Sequence, residues 1–185
     1  MAEAAHPIPS PPTAPALASL DPQSPAARAL IARLTSPLAL RLFFLRKLPL
    51  ALAAGVRLRT LDGRACTTSV PYGWRSTNPF RSTYFAALAM AAELSTGALG
   101  MLAARLAPEP VALLIVGMTA SFDKKATGLV TFTCEDGDRV LAAVARTLET
   151  GEPATADLAT VGRLPDGAIA ARFTFRWSFK RRRQA

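Results

Sequence analysis

Between Ser82 and Ala104 the chain carries one charge, Glu93, in a run otherwise made of Ala, Leu, Met, Gly, Ser, Thr, Phe and Tyr. Its Ala, Leu and Met content predicts a helix rather than a strand. A helix of about 23 residues is long enough to span a bilayer. A central carboxylate would cost about 2.5–3.5 kcal/mol there, and the run is rich in small residues rather than Leu and Ile. No transmembrane segment is therefore expected. A helix that is apolar all round must instead be buried inside a folded domain, so the rest of the chain has to supply something that wraps it.

The wrapping material is β-strand. Val56–Thr60 and Ala65–Tyr72 alternate with period two around Asp62-Gly63, a hairpin signal. Val111–Phe122, Ala126–Glu135, Ala154–Arg163 and Ile169–Lys180 follow after the helix. In the last, Ile169, Ala171, Phe173, Phe175, Trp177 and Phe179 share one face, and Arg172, Thr174, Arg176, Ser178 and Lys180 share the other. One face meets a core and the other meets water. Asp136–Thr150 reads as a helix with Val140, Leu141, Val144 and Leu148 as its apolar stripe, and Pro165-Asp166-Gly167 as a turn. The list of elements fits an α+β fold in which a curved, mostly antiparallel sheet wraps a long central helix.

Four regions follow. Residues 1–24 read as a disordered Pro-rich tail, without the basic and apolar regions of a signal peptide. Residues 25–53 open with Ser24-Pro25 and again with Ser36-Pro37, two helix-start signals. The second of these helices carries Leu38, Leu42, Leu45 and Phe44 on one side, with Arg41, Arg46 and Lys47 elsewhere. Those charges and Pro49 argue against a span through Leu38–Val56. Packing on the domain and lying on a membrane surface with the basic residues at the phosphates both stay open. Residues 54–180 form the domain, and residues 181–185 end it in a basic tail.

Charge and composition bound the chemistry. The net charge of +9 favours anionic partners. Cys66 and Cys134 are too few and too far apart in sequence for a disulfide framework or a zinc site, so a cytoplasmic protein without metal or cofactor is expected. The one histidine, His6, stands in the tail, which leaves no Ser-His-Asp or Cys-His arrangement for the domain. Lys180-Arg181-Arg182-Arg183 is read as a solubilising end, because no nucleic-acid motif or exposed stacking aromatic accompanies it.

Glu93 is the candidate acid or base. At helical spacing it shares a face with Ala86, Ala89, Met90, Gly97 and Gly100, small residues that let a ligand or a backbone approach. Apolar surroundings would raise its pKa. The competing reading is a buried structural hydrogen bond from Glu93 to the loop or to Thr96.

Asn78-Pro79-Phe80-Arg81-Ser82-Thr83-Tyr84-Phe85-Ala86-Ala87-Leu88, continuing through Glu93-Leu94, resembles the loop and central helix of hotdog-fold acyl-CoA thioesterases. It is most similar to the thioesterase-like family called domain of unknown function 4442. Leu48-Pro49, Gly55-Val56-Arg57, Val70-Pro71-Tyr72 and Trp177-Ser178-Phe179-Lys180 extend the resemblance over about Leu48–Lys180. It implies a hotdog domain working as a homodimer or dimer of dimers, with sites at the subunit interface and an acyl-CoA or other acyl thioester as substrate. It assigns catalysis to Glu93 as base or nucleophile and to Asn78 as the residue that orients water or substrate. A backbone amide near Ser82 would polarise the carbonyl. The loop departs from the family where Pro79 stands near a His position and Arg81 near a Gly. A non-catalytic acyl-CoA or fatty-acid binder on the same scaffold is the alternative.

The remaining substrate-binding candidates each have a plainer reading. Arg81 could grip a carboxylate or phosphate, or be solvated like Arg75. Ser82 and Thr83 stand at the helix entry. Trp74 could line an acyl pocket. Lys124 and Lys125 could meet the phosphates of coenzyme A, or simply form a charged turn. Thr96, like Ser95, could reach a site or bond back to its own helix.

Overall fold

The structure, a computed structural model, describes residues 20–182. His6, the Pro-rich stretch up to residue 19 and the last three residues of the basic tail lie outside the described residues. Three helices come first: α1 (Pro25–Leu34), α2 (Pro37–Lys47) and α3 (Pro49–Ala54). Ser24 and Ser36 cap α1 and α2, accepting from the amides of Ala27 and Ala39 at 3.1 and 3.3 Å, with proline in the first turn of each as the sequence predicts. Helix α3 was not foreseen. Pro49, read as the end of α2, is also the first residue of a new helix after Leu48 breaks the old one at φ −135°.

The domain proper is β1 (Arg57–Leu61), β2 (Cys66–Val70), α4 (Phe85–Leu106), β3 (Val111–Phe122), β4 (Val130–Cys134), α5 (Gly137–Thr150), β5 (Ala154–Arg163) and β6 (Ile169–Arg181). The six strands make one antiparallel sheet in the order β1-β2-β4-β5-β6-β3. Helix α4 lies across its inner face, and this is the α+β hotdog arrangement expected. Phe173, Phe175, Trp177 and Phe179 of β6 are buried beneath the helix while Arg172 and Arg176 face out. Buried polar bonds tie the helix to the sheet: Thr68 Oγ1 donates to the Ala91 carbonyl at 2.6 Å, and Ser95 Oγ lies 2.8 Å from Thr160 Oγ1. By length and composition α4 could cross a membrane. Here it is the core of the domain.

Two boundaries, the starts of α4 and β4, differ from expectation for one reason. Thr83 gives both its amide and its hydroxyl to the Ala126 carbonyl, at 2.8 and 3.0 Å. That tie holds Ser82 and Thr83 out of the helix, which starts at Phe85, and keeps the chain after Ala126 out of the sheet until Val130. The β1–β2 connection is also wider than a two-residue turn. Leu61 pairs with Cys66, and Asp62 Oδ1 accepts from the amides of Arg64 and Ala65.

Helix α2 divides the residues its sequence put together. Leu40, Phe43, Phe44 and Leu48 pack against the domain, whereas Leu38, Leu42 and Leu45 are exposed. The last three fall at i, i+4 and i+7 and so share one face, well away from Phe44.

Candidate functional site

The loop before α4 is organised by Asn78. Its Oδ1 accepts from the amides of Phe80 and Ser82 at 3.0 and 3.2 Å, its Nδ2 donates to Ser82 Oγ at 3.2 Å, and its backbone amide donates to the Ser82 carbonyl at 2.9 Å. These bonds close a tight turn in which Arg81 takes φ 59°, the left-handed region that favours glycine. The resemblance put a glycine near this position. The Asn78 side chain supplies the bonds that hold an arginine there instead.

The amides that follow are mostly occupied. Ser82 donates to Asn78, Thr83 to the Ala126 carbonyl, and Tyr84 to the Ser76 carbonyl at 2.6 Å. Tyr84 caps α4 without a side-chain bond. Among the described residues the Phe85 and Ala86 amides have no acceptor, and they point out of the positive end of a 22-residue helix. Sequence reasoning placed the donor near Ser82. The signal for the later position is the absence of Ser, Thr, Asp or Asn at Tyr84, which leaves the helix start uncapped.

A pocket of about 540 Å³ opens at this helix start. The loop contributes Asn78, Phe80, Ser82 and Thr83, the helix Phe85 and Leu88, and the end of β3 with its following turn Phe122, Lys124 and Lys125. Five of the residues proposed from sequence thus come together: Asn78, Ser82, Thr83, Lys124 and Lys125. Lys124 is held by Asp166 at 3.1 Å, and Lys125 donates to the Phe80 carbonyl at 3.3 Å. Arg81 and Trp74 are exposed and do not line this pocket; Trp74 is 86% exposed.

Glu93 lies elsewhere. Eight residues beyond Phe85 it is about 12 Å further along the helix axis, on a stripe with Ala86, Ala89 and Met90 that the sheet leaves half-open. Its side chain turns back over Gly97: a Cβ on that glycine would stand 3.0 Å from Glu93 Oε1 and 3.2 Å from Trp177 Cζ2. Gly97 and Gly100 are closed, under Trp177 and under Leu113 and Phe179 respectively. The space left by small residues is therefore at Ala86 and Ala89.

Among the described residues the Glu93 carboxylate has no hydrogen-bond or ion-pair partner. Thr96 bonds to the Glu93 backbone carbonyl at 2.9 Å and accepts from Trp177 Nε1 at 3.0 Å. Its hydroxyl is bound back to its own helix and does not reach the carboxylate. Burial alone pushes the Glu93 pKa above the ordinary carboxylate value, since no bond or cation opposes it. A carboxylate raised in this way is the kind of group that serves as a general base.

The two cysteines, distant in sequence, meet in the sheet. Cys66 and Cys134 are register partners across β2 and β4, both buried and free. Burial pushes both thiols up, Cys134 to about 11, so neither is a thiolate nucleophile at neutral pH. Among the described residues no group of three or more His, Cys, Asp or Glu could hold a metal.

The family model described as "Domain of unknown function (DUF4442)" matches residues 38–177. No curated protein matches the chain. Among solved structures, a protein of unknown function from Pseudomonas aeruginosa, called a probable thioesterase, is 21% identical. The match covers 81% of this chain and 99% of that one, with a TM-score of 0.66. A protein of unknown function from Chlorobaculum tepidum is 15% identical over 89% of this chain and 99% of that one, with a TM-score of 0.68. A structure from Shewanella oneidensis called a putative thioesterase is 14% identical over 82% and 97%, with a TM-score of 0.64. Identities this low establish the shared fold alone.

Proposed function

The chain belongs to the DUF4442 family, and from that premise we propose that it is a hydrolase of acyl-CoA or another acyl thioester, working as a dimer in the cytoplasm. The observation that carries this reading is Glu93: a half-buried carboxylate, unpartnered among the described residues, on the half-open stripe of the central helix.

Glu93 takes a proton from water as that water attacks the thioester carbonyl. The tetrahedral oxyanion is held by the Phe85 and Ala86 amides, the C–S bond breaks, and the proton passes on to the departing sulfur. A nucleophilic attack by the carboxylate itself would use the same atoms. One chain cannot bring both parts to one carbonyl, because some 12 Å of helix separates them. Two chains can, if each gives Glu93 to one site and its helix start to the other. The edge strand β3 supports such a pairing, for it is unpaired on one side and carries Leu114, Val116, Met118 and Phe122, all more than half exposed, an unusual amount of apolar surface for an edge strand. In this scheme Asn78 acts by holding the loop, and Lys125 stands at the pocket rim within reach of an anionic carrier.

One observation favours the non-catalytic binder: the amides of Ser82, Thr83 and Tyr84 are all engaged, which leaves only the first helical amides to polarise a carbonyl. Release of free thiol from a panel of acyl-CoAs separates the two. Turnover that falls about 100-fold or more in Glu93→Gln supports the hydrolase. A copurified acyl chain with no turnover, or turnover unchanged in Glu93→Gln, overturns it.

A further inference from the structure

One face of α2 serves neither the core nor the pocket. Leu40, Phe43 and Phe44 turn inward, but Leu38 is 78% exposed, Leu42 43% and Leu45 63%, and Leu50 in α3 is 77% exposed. Each residue of a helix turns by about 100°, so Arg41 flanks the leucine stripe on one side and Arg46 on the other. Both are exposed, and among the described residues neither has an acidic partner. The segment is basic: residues 22–61, between Asp21 and Asp62, hold seven Lys or Arg and no Asp or Glu. Beside α2 a groove of about 530 Å³ gathers Arg41, Arg57, Arg59 and Arg75 above Leu40 and Phe44. Arg59 is fixed there by donating from Nε to Ser69 Oγ at 2.7 Å.

We propose that this face docks on an anionic phospholipid bilayer. The leucine stripe enters the boundary between headgroups and acyl chains, Arg41 and Arg46 reach the phosphates on either side, and the arginine groove takes the phosphate of a neighbouring headgroup. Leucines bordered by cations on both sides, with no acid in the segment, complement such a surface. A second copy of the same face does not complement it, because pairing would set arginine against arginine. A dimer closed over β3 leaves it free as well, since β1, beside α2, and β3 are opposite edges of the sheet. This surface does not depend on the chemistry assigned to Glu93.

The full chain is sedimented with vesicles of phosphatidylcholine alone and with vesicles in which about a third of the lipid is phosphatidylserine. The proposal expects binding to the second only, weakening with added salt. Leu38→Ser with Leu45→Ser, and separately Arg41→Gln with Arg46→Gln, should each weaken it about tenfold or more while thermal stability stays native, and Glu93→Gln should bind as the native chain does. Equal binding to both vesicle types, no binding, or native binding by either double variant overturns it. So does a leucine variant that alters stability or molecular mass without any vesicle binding, which would show that this face is covered by the residues before Leu20 or by a second copy.

Discussion

Gly97→Ala is the smallest change that touches Glu93 directly. The new methyl would sit 3.0 Å from Glu93 Oε1 and 3.2–3.3 Å from the Trp177 ring, closer than an ordinary van der Waals contact by a few tenths of an ångström. Of the two neighbours only one can give way. Trp177 is 7% exposed and bound to Thr96 at 3.0 Å, whereas the carboxylate sits on a half-buried residue and, among the described residues, has no hydrogen bond to lose. Replacing a mid-helix glycine gains about 0.5–1 kcal/mol, and the crowding costs a similar amount. Stability should therefore stay within about 1 kcal/mol of native, or within roughly 2–4 °C in Tm. Catalysis should not be spared. A 1 Å misplacement of a reacting group can cost about 100-fold, so a shift of a few tenths should lower kcat/KM on the order of tenfold. Urea unfolding and thiol release, measured together with Gly73→Ala as a control with nothing within 4 Å, give both numbers. Native activity in Gly97→Ala would show that displacing the Glu93 carboxylate does not matter to turnover, and a loss of stability above about 3 kcal/mol would show that Trp177 is displaced instead. Either result would refute the reasoning.

Gly137→Ala should behave in the opposite way. A Cβ there would collide with the Gly63 carbonyl oxygen and Arg64 Cα, backbone that cannot retreat, while the Gly137 amide donates to the Arg64 carbonyl at 2.9 Å. Urea denaturation should show a loss of about 2–4 kcal/mol from overpacking and the weakened bond. The pH dependence of stability carries the sign of Glu93's raised pKa. From the ordinary value of 4.5 upward the folded protein holds a proton that the unfolded chain has released, so native stability falls as pH rises to the folded pKa and then levels. Glu93→Gln should match the native protein near pH 4 and exceed it near pH 8 in urea midpoint; an unchanged difference across that range would contradict the burial assigned to the carboxylate. Cys66 and Cys134, buried and raised in pKa, should resist alkylation in the native state and react once urea unfolds the chain, as intact-mass measurement would show.

Much of the fold could be read from sequence because the signals were local. The alternation in Ile169–Lys180 and the run to Ala104 with its single charge require a sheet face and a buried helix wherever they sit. What could not be read depends on pairs distant in sequence. The tie from Thr83 to Ala126 delays both α4 and β4. The meeting of Cys66 with Cys134 depends on β2 lying beside β4. For the candidate site, Glu93 stood out as the lone charge in the run, but its distance from the pocket appears only when the loop residues are placed at the helix start and Glu93 two turns beyond. Which side of α2 would face the domain was equally hidden, since its leucines and phenylalanines surround much of the helix.

The central claim, that each site joins Glu93 of one copy to the helix start of another, is tested most directly by subunit mixing. Ala86→Pro removes one free amide at a position in the first helical turn that tolerates proline, and Glu93→Gln removes the base. Each variant alone should be inactive toward a thioester that the native protein hydrolyses. Unfolded together and refolded in equal amounts, they should regain about a quarter of native activity, because half of the dimers then contain one site with both native parts. A mixture as inactive as its components, or an active Ala86→Pro on its own, would contradict the account.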